Sequence, residues 1–200
     1  PLELRPEGDG WYCWAIDPSE GGFGNGFSLV GIRIDAAPVA DGDVRLKVAV
    51  AREWRAMPLE RIWSEIARGI GRYGCNTVVT DQYAAAANTA LAARHGVRLV
   101  ADKSSAATNL EDYTNLATLL HSGRLELPPH KLLLGDLLGI RKRTTQTGYS
   151  IVLPRTADNR HADLASALCK AVKFGRLVPQ IESSRIRRDD PRLLAFLRGD

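Results

Sequence analysis

The sequence predicts a mixed α/β fold: three antiparallel strands followed by parallel strands, flanked by helices, plus a separate β-hairpin late in the chain. Three observations carry this expectation. Apolar and β-branched runs bounded by Gly, Pro and Asp fill the first quarter of the chain. Beyond Pro58, stretches of helical periodicity alternate with short apolar runs, the rhythm of βαβ units. A basic run, Arg141-Lys142-Arg143, is joined through Gln146-Thr147-Gly148 to Tyr149-Ser150-Ile151-Val152-Leu153, which reads as a hairpin.

Residues 1–10 are polar, carry Pro6, Gly8 and Gly10, and read as a linker or tail. A strand at 11–17 runs into a loop with four glycines between Gly21 and Gly26. Strands follow at about 27–34 and 44–52, with Pro38, Asp41, Gly42 and Asp43 in the turn between them. Pro58 opens a helix, where its missing N–H does no harm. Leu59, Ile62, Trp63, Ile66, Ala67 and Ile70 then fall on one stripe, and Gly74 marks the stop. Residues 77–80 are β-branched without interruption, as a central parallel strand is. An alanine-rich helix covers about 83–95, a strand 97–101, and a further helix 110–122. After Pro128-Pro129 come a helical segment at about 130–138, the hairpin, and a helix at about 161–174 closed by Gly175. The division expected is a linker over 1–10, one domain over 11–176, and a basic tail over 177–200.

The chain has 200 residues, 44% hydrophobic and 25% charged, which suits one domain with a full core. The net charge of +4 permits nucleic acid as a partner without demanding it. Cys13, Cys75 and Cys169 are scattered, form no CxxC pair, and are expected reduced and mostly buried, as in an intracellular protein. No Cys/His cluster suits zinc, no apolar run reaches the length of a membrane span, and no signal peptide is visible. The chain begins at Pro1 and so reads as a piece of a longer protein.

Three aspartates sit at element ends. Asp17 closes the first strand, Asp81 closes the fourth, and Asp163 lies in the first turn of the last helix. If the fourth strand pairs beside the first, Asp17 and Asp81 emerge at one sheet edge, and the last helix can aim its N-terminus there. Converging carboxylates repel, and Mg²⁺ or Mn²⁺, which prefer oxygen ligands, relieve the repulsion. Two such ions can activate a water and stabilise the leaving oxygen of a phosphodiester. Asp17 suits a bridging position, with Asp81 and Asp163 each completing one ion's shell. Taken singly, each aspartate also reads as a turn former or helix cap, and Asp163 as a complement to the helix dipole.

The segments Trp14-Ala15-Ile16-Asp17-Pro18, Thr77-Val78-Val79-Thr80-Asp81 and His161-Ala162-Asp163-Leu164-Ala165-Ser166-Ala167-Leu168 together resemble the nuclease domain of phage terminase large subunits. The resemblance covers about residues 10–175. It implies an RNase H-like (RuvC-like) fold and two divalent cations, Mg²⁺ or Mn²⁺, on Asp17, Asp81 and Asp163. It further implies endonucleolytic cutting of double-stranded DNA, the concatemer cleavage of viral genome packaging, in the host cell cytoplasm. The implied partners are DNA, an ATPase domain in the full-length chain, a small terminase subunit and a portal protein. No GxxxxGK[ST] phosphate loop occurs in these 200 residues, so no packaging-motor activity is claimed for this piece.

Other residues enter as accessories. His161 suits orienting Asp163 or a phosphate, or simply starting the helix. Glu20 and Asp158 are near enough in sequence to add a ligand, or are solvated. Lys103 suits phosphate neutralisation, or is an ordinary surface lysine. Arg141, Lys142 and Arg143 on the hairpin suit tracking DNA phosphates, against the alternative of a charged edge that discourages strand pairing. No recognition helix with Arg, Asn or Gln stripes is evident, so little sequence preference is expected. Two rival readings stay open: a Holliday-junction resolvase or integrase-type nuclease, and a catalytically silent RNase H-like module that docks or binds DNA.

Overall fold

Strand pairing in the computed structural model describes where the element ends meet; it covers residues 2–6, 11–18, 26–35, 44–103, 105–146, 148–155 and 161–177. Strand β1 (Leu2–Glu3) pairs antiparallel with the meander of β2 (Trp11–Asp17), β3 (Phe27–Asp35) and β4 (Arg45–Trp54) through β4. After α1 (Leu59–Gly71), strand β5 (Thr77–Asp81) lies parallel to β2, with Ala15 opposite Val79. Helix α2 (Gln82–Arg94) then returns the chain to β6 (Arg98–Asp102), parallel to β5. The sheet order is β1-β4-β3-β2-β5-β6. Helix α3 (Ala106–His121) leads to β7 (Leu125–Glu126), which pairs parallel with β4. Helix α4 (Lys131–Gly139), the hairpin β8 (Arg141–Thr145) with β9 (Gly148–Val152), and α5 (Asp163–Gly175) complete the described chain.

The expected fold class and element order hold, including the placement of the fourth expected strand beside the first. Several details differ. Residues read as a linker contribute β1, and β7 was not expected, because two-residue strands carry no periodicity to detect. Helix α3 starts at Ala106 rather than near 110, because Ser105 and Thr108 form a reciprocal capping box. Leu59, read as part of the apolar stripe of α1, is 43% exposed. Cys13 and Cys75 are half-buried rather than enclosed, and only Cys169 is buried; all three are free thiols. Among the described residues, no helix is long and apolar enough to cross a membrane.

Because successive strand residues face opposite ways, the sheet has two cores. One face carries Trp14, Ile16, Phe27, Leu29 and Val78, covered by Ile62, Trp63, Ile66 and Ile70 of α1. The other carries Ala15, Val30, Ala51, Val79 and Val100, covered by Leu164, Leu168 and Val172 of α5 and by Leu116 and Leu119 of α3. Two glycines permit close approach. A Cβ on Gly31 would lie 2.4 Å from the Trp14 ring, and one on Gly175 would lie 2.6 Å from Ile32 Cδ1. The second contact brings the C-terminal end of α5 directly onto β3.

Candidate active site at the sheet edge

The register of the central strands aligns a row of carboxylates. Two residues beyond the Ala15–Val79 pair, the parallel strands β2 and β5 end on Asp17 and Asp81. On the far side of β5, Asp81 is opposite Asp102 at the end of β6. Asp17, Asp81 and Asp102 share strand parity with Ala15, Val79 and Val100, so they lie on the α5 face of the sheet.

Asp81 does two things. Its Oδ1 accepts hydrogen bonds from the Tyr83 and Ala84 amides, both at 2.9 Å, and so caps α2. Its other oxygen lies outside that cap. The capping and acidic-site readings of this residue are therefore compatible, one oxygen for each.

Helix α5 faces this row with a polar stripe. Asp163, Ser166, Lys170 and Lys173 recur at i, i+3, i+7 and i+10, one side of a helix. Within α5 only Ser166, Lys170 and Lys173 are not buried. Asp163, the first residue of the helix, is 8% exposed. Lys170 Nζ lies 3.5 Å from Asp17 Oδ1 and donates to Ser166 Oγ at 2.7 Å. Lys173 Nζ pairs with Asp102 at 2.8 Å and Asp112 of α3 at 3.0 Å. Burial pulls the Lys173 pKa down, but the bonds to Asp102 and Asp112 outweigh it and leave a net rise.

Between α3, α5 and the sheet edge is a cavity of about 250 Å³, lined by Asp81, Asp102, Asp112, Tyr113, Ser166 and Lys170 among others. Burial, then the neighbouring Cys169 and Asp17, hold the Tyr113 phenol well above its usual pKa, so it is a neutral hydroxyl at neutral pH. Cys169 also lines the cavity. Burial followed by Asp112 pushes its thiol up to about 12, so it is not a nucleophile. Leu153, just past β9, borders the same cavity and ties the hairpin to it.

Of the residues expected from sequence, Asp17 and Asp81 come together, and Asp163 lies in the first turn of the helix that packs over them. Among the described residues, no three His, Cys, Asp or Glu side chains stand close enough as they lie to hold a metal ion. The donor set is nonetheless of the hard-oxygen kind that Mg²⁺ and Mn²⁺ take. His161 is half-buried in an isolated bridge with Arg155, and Lys103 is exposed just after Asp102. Glu20 and Asp158 lie outside the described residues. On the hairpin, Arg141, Lys142 and Arg143 are all exposed. Arg141 donates to the Leu138 and Ile140 carbonyls at 2.6 and 2.9 Å, and Lys142 lies 4.0 Å from the Tyr149 ring centre. Sequence reasoning missed Asp102, Asp112, Tyr113, Ser166, Lys170 and Lys173. The four-residue polar stripe inside the otherwise apolar α5 was the signal that could have found half of them.

No protein-family model and no curated protein matches the chain. Solved structures do. The large terminase nuclease of thermophilic phage G20c superposes with a TM-score of 0.66 at 19% identity, covering 86% of this chain and 85% of that one. The chain has the fold of the large terminase nuclease domain. A second such domain, from bacteriophage SPP1 with bound Mn, gives a TM-score of 0.59 at 17% identity over 82% of this chain and 85% of that one. The HK97 bacteriophage large terminase matches 86% of this chain with a TM-score of 0.66 at 14% identity, while the chain spans 41% of that protein. The G20c nuclease has also been solved with bound magnesium. The terminase nuclease fold agrees with the RNase H-like architecture that the sequence resemblance implied.

Proposed function

We propose that this chain is a metal-dependent endonuclease that hydrolyses phosphodiester bonds of double-stranded DNA, with Asp17, Asp81 and Asp163 holding two divalent cations. The observation that carries the reading is the in-register placement of Asp17 and Asp81 at adjacent parallel strand ends, under the helix that begins with Asp163. The bound magnesium and Mn of the similar G20c and SPP1 nuclease structures support the choice of ion. When bound, the cations would supply an activated water and offset the charge that develops on the scissile phosphate.

The chain's own residues supply position and environment. Asp81 is held by two backbone amides, so its free oxygen needs no reordering. Tyr113, neutral and beside Asp17 and Ser166, offers a hydroxyl that donates without adding charge. In this reading Lys142 and Arg143 on the exposed hairpin, with Lys103 past the sheet edge, meet phosphates, and their exposure supports it; Arg141 would do so only by giving up its carbonyl partners. The backbone contacts of such a hairpin carry no base information, which agrees with low sequence preference. We extend the reading to cleavage of concatemeric viral DNA, with an ATPase domain, a small terminase subunit and a portal protein as partners, in the host cytoplasm. The terminase nuclease fold, and the match to 41% of the HK97 bacteriophage large terminase, support that extension. The functional unit proposed is residues 11–176.

A catalytically silent module is the second reading, favoured by the lack of a ready three-ligand group among the described residues. Supercoiled plasmid with millimolar Mn²⁺ separates the two. The nuclease nicks and linearises it, EDTA stops the reaction, and Asp17→Asn, Asp81→Asn and Asp163→Asn are each inactive but folded. Plasmid cut equally by all three variants would sink the site assignment, and uncut plasmid with no Mn²⁺ uptake by calorimetry would establish the silent module.

A further inference from the structure

We infer that Lys170 is the resident counterion of the acidic edge and that a divalent cation enters only by exchanging with it. The inference rests on the reading of Asp17 as a metal ligand. It starts from an imbalance between the two lysines of α5. Lys173 is fixed by two carboxylates, at 2.8 and 3.0 Å, and these bonds raise its pKa. Among the described residues, Lys170 has one carboxylate, Asp17, at the looser distance of 3.5 Å, and otherwise a neutral hydroxyl, Ser166. Its side chain is only 13% exposed, so its charge is little screened and is felt by Asp17 and by the neighbouring end of β5.

That position solves one problem and creates another. With no cation present, Asp17, Asp81 and Asp102 stand at three consecutive strand ends, and their repulsion needs a compensating charge. Lys170 supplies it for Asp17, and Lys173 for Asp102. A divalent ion binding at Asp17 Oδ1 would meet the Lys170 ammonium already beside that oxygen, and the two charges repel in this half-buried site until the lysine moves away. Lysine can leave: its flexible four-carbon stem allows the head to swing into the adjoining cavity, which Lys170 itself lines. Lys173, held twice, stays. The metal affinity is thereby reduced by whatever Lys170 contributes to the metal-free state.

The test uses the full chain and Mn²⁺ alone, by titration calorimetry and by thermal melting in EDTA and in Mn²⁺. Lys170→Met is expected to melt below wild type in EDTA, to bind Mn²⁺ about fivefold tighter or more, and to gain more melting temperature from Mn²⁺ than wild type does. Lys170→Gln serves as the second neutral variant should Met disturb packing. Lys170→Arg keeps the charge and should restore affinity near the wild-type value. Lys173→Met should lose stability in both conditions without tightening the ion. Folded Lys170→Met and Lys170→Gln proteins that bind Mn²⁺ no more tightly than wild type overturn the exchange while leaving the metal site standing. Failure of the site itself looks different: Asp17→Asn binds Mn²⁺ as wild type does, or neither wild type nor Lys170→Met binds it, and the exchange falls with it.

Discussion

The two faces of the central sheet are built from the same strands yet handle charge in opposite ways. Under α1, ionisable groups are settled in pairs. Glu65 accepts from Trp54 Nε1 at 2.8 Å and from Arg52 at 2.5 Å, and around this group the core is aliphatic and aromatic packing, with Phe27 edge-on to both Trp54 and Trp63. Under α5, the apolar core stops short of the strand ends, and Asp17, Asp81 and Asp102 face lysines and a cavity. The difference teaches where this fold separates stability from chemistry. An apolar face that continues to the sheet edge can only hold the sheet together. One that gives way to carboxylates in the last residue of each strand exposes reactive groups while leaving the core intact.

Substitutions test that division. The largest effect is expected at Asp81, where two exchanges separate its two tasks. Asp81→Asn keeps a good cap for α2 and should melt near wild type, yet lose plasmid cleavage by on the order of 10³-fold or more. Asp81→Ala should lose cleavage equally and about 1 kcal/mol of stability besides. Equal stability in the two variants, by denaturant titration, would mean the cap contributes nothing. On the other face, Trp63→Ala removes a fully buried indole and should cost about 3–5 kcal/mol of stability. Its turnover should stay near wild type at temperatures where it remains folded, and loss of turnover in the folded variant would break the separation of the faces. A smaller effect is expected on the hairpin. Charge reversal at Lys142 and Arg143 should weaken DNA binding and lower the slope of log affinity against log salt by about 2. An unchanged slope removes the hairpin from the DNA path.

The smallest effect concerns Glu65. Its pKa is lowered from 4.5, first by the Trp54 hydrogen bond and then by Arg52 and Arg61, with burial opposing. A depressed folded-state value means the stabilisation is present above the unfolded value and is lost as pH falls through the folded one. Glu65→Gln should therefore cost roughly 1 kcal/mol at pH 7, with the gap to wild type closing as pH drops below 4.5. A gap that persists at low pH would assign the effect to packing instead.

Much of this was legible in the chain itself. The apolar stripe of α1 and the unbroken β-branched run of β5 announced their partners, because periodicity reports burial directly. Asp17 and Asp81 were legible as a pair because both terminate strands that had to lie side by side. Asp102 was not, since the strand was expected to end one residue earlier, at Ala101, and cross-strand register leaves no mark in a single sequence. Lys170 and Lys173 drew no reading from sequence, because a half-open polar stripe and a solvated one have the same spacing until the packing around them is known. The short strands β1 and β7 had no pattern long enough to see. The exposed Leu59 shows the opposite error, an apolar residue in phase with the stripe but beyond the reach of the sheet.

The bond pair that anchors Asp81 to the first turn of α2 has a kinetic side. A side chain tethered by one oxygen cannot spin between rotamers, so the vacant lone pairs wait in a single orientation, set by a helix rather than by whatever ion arrives. Fraying of that one turn would unlatch the carboxylate and give up that orientation, so the alignment of Asp81 lasts only as long as the first turn of α2 stays closed.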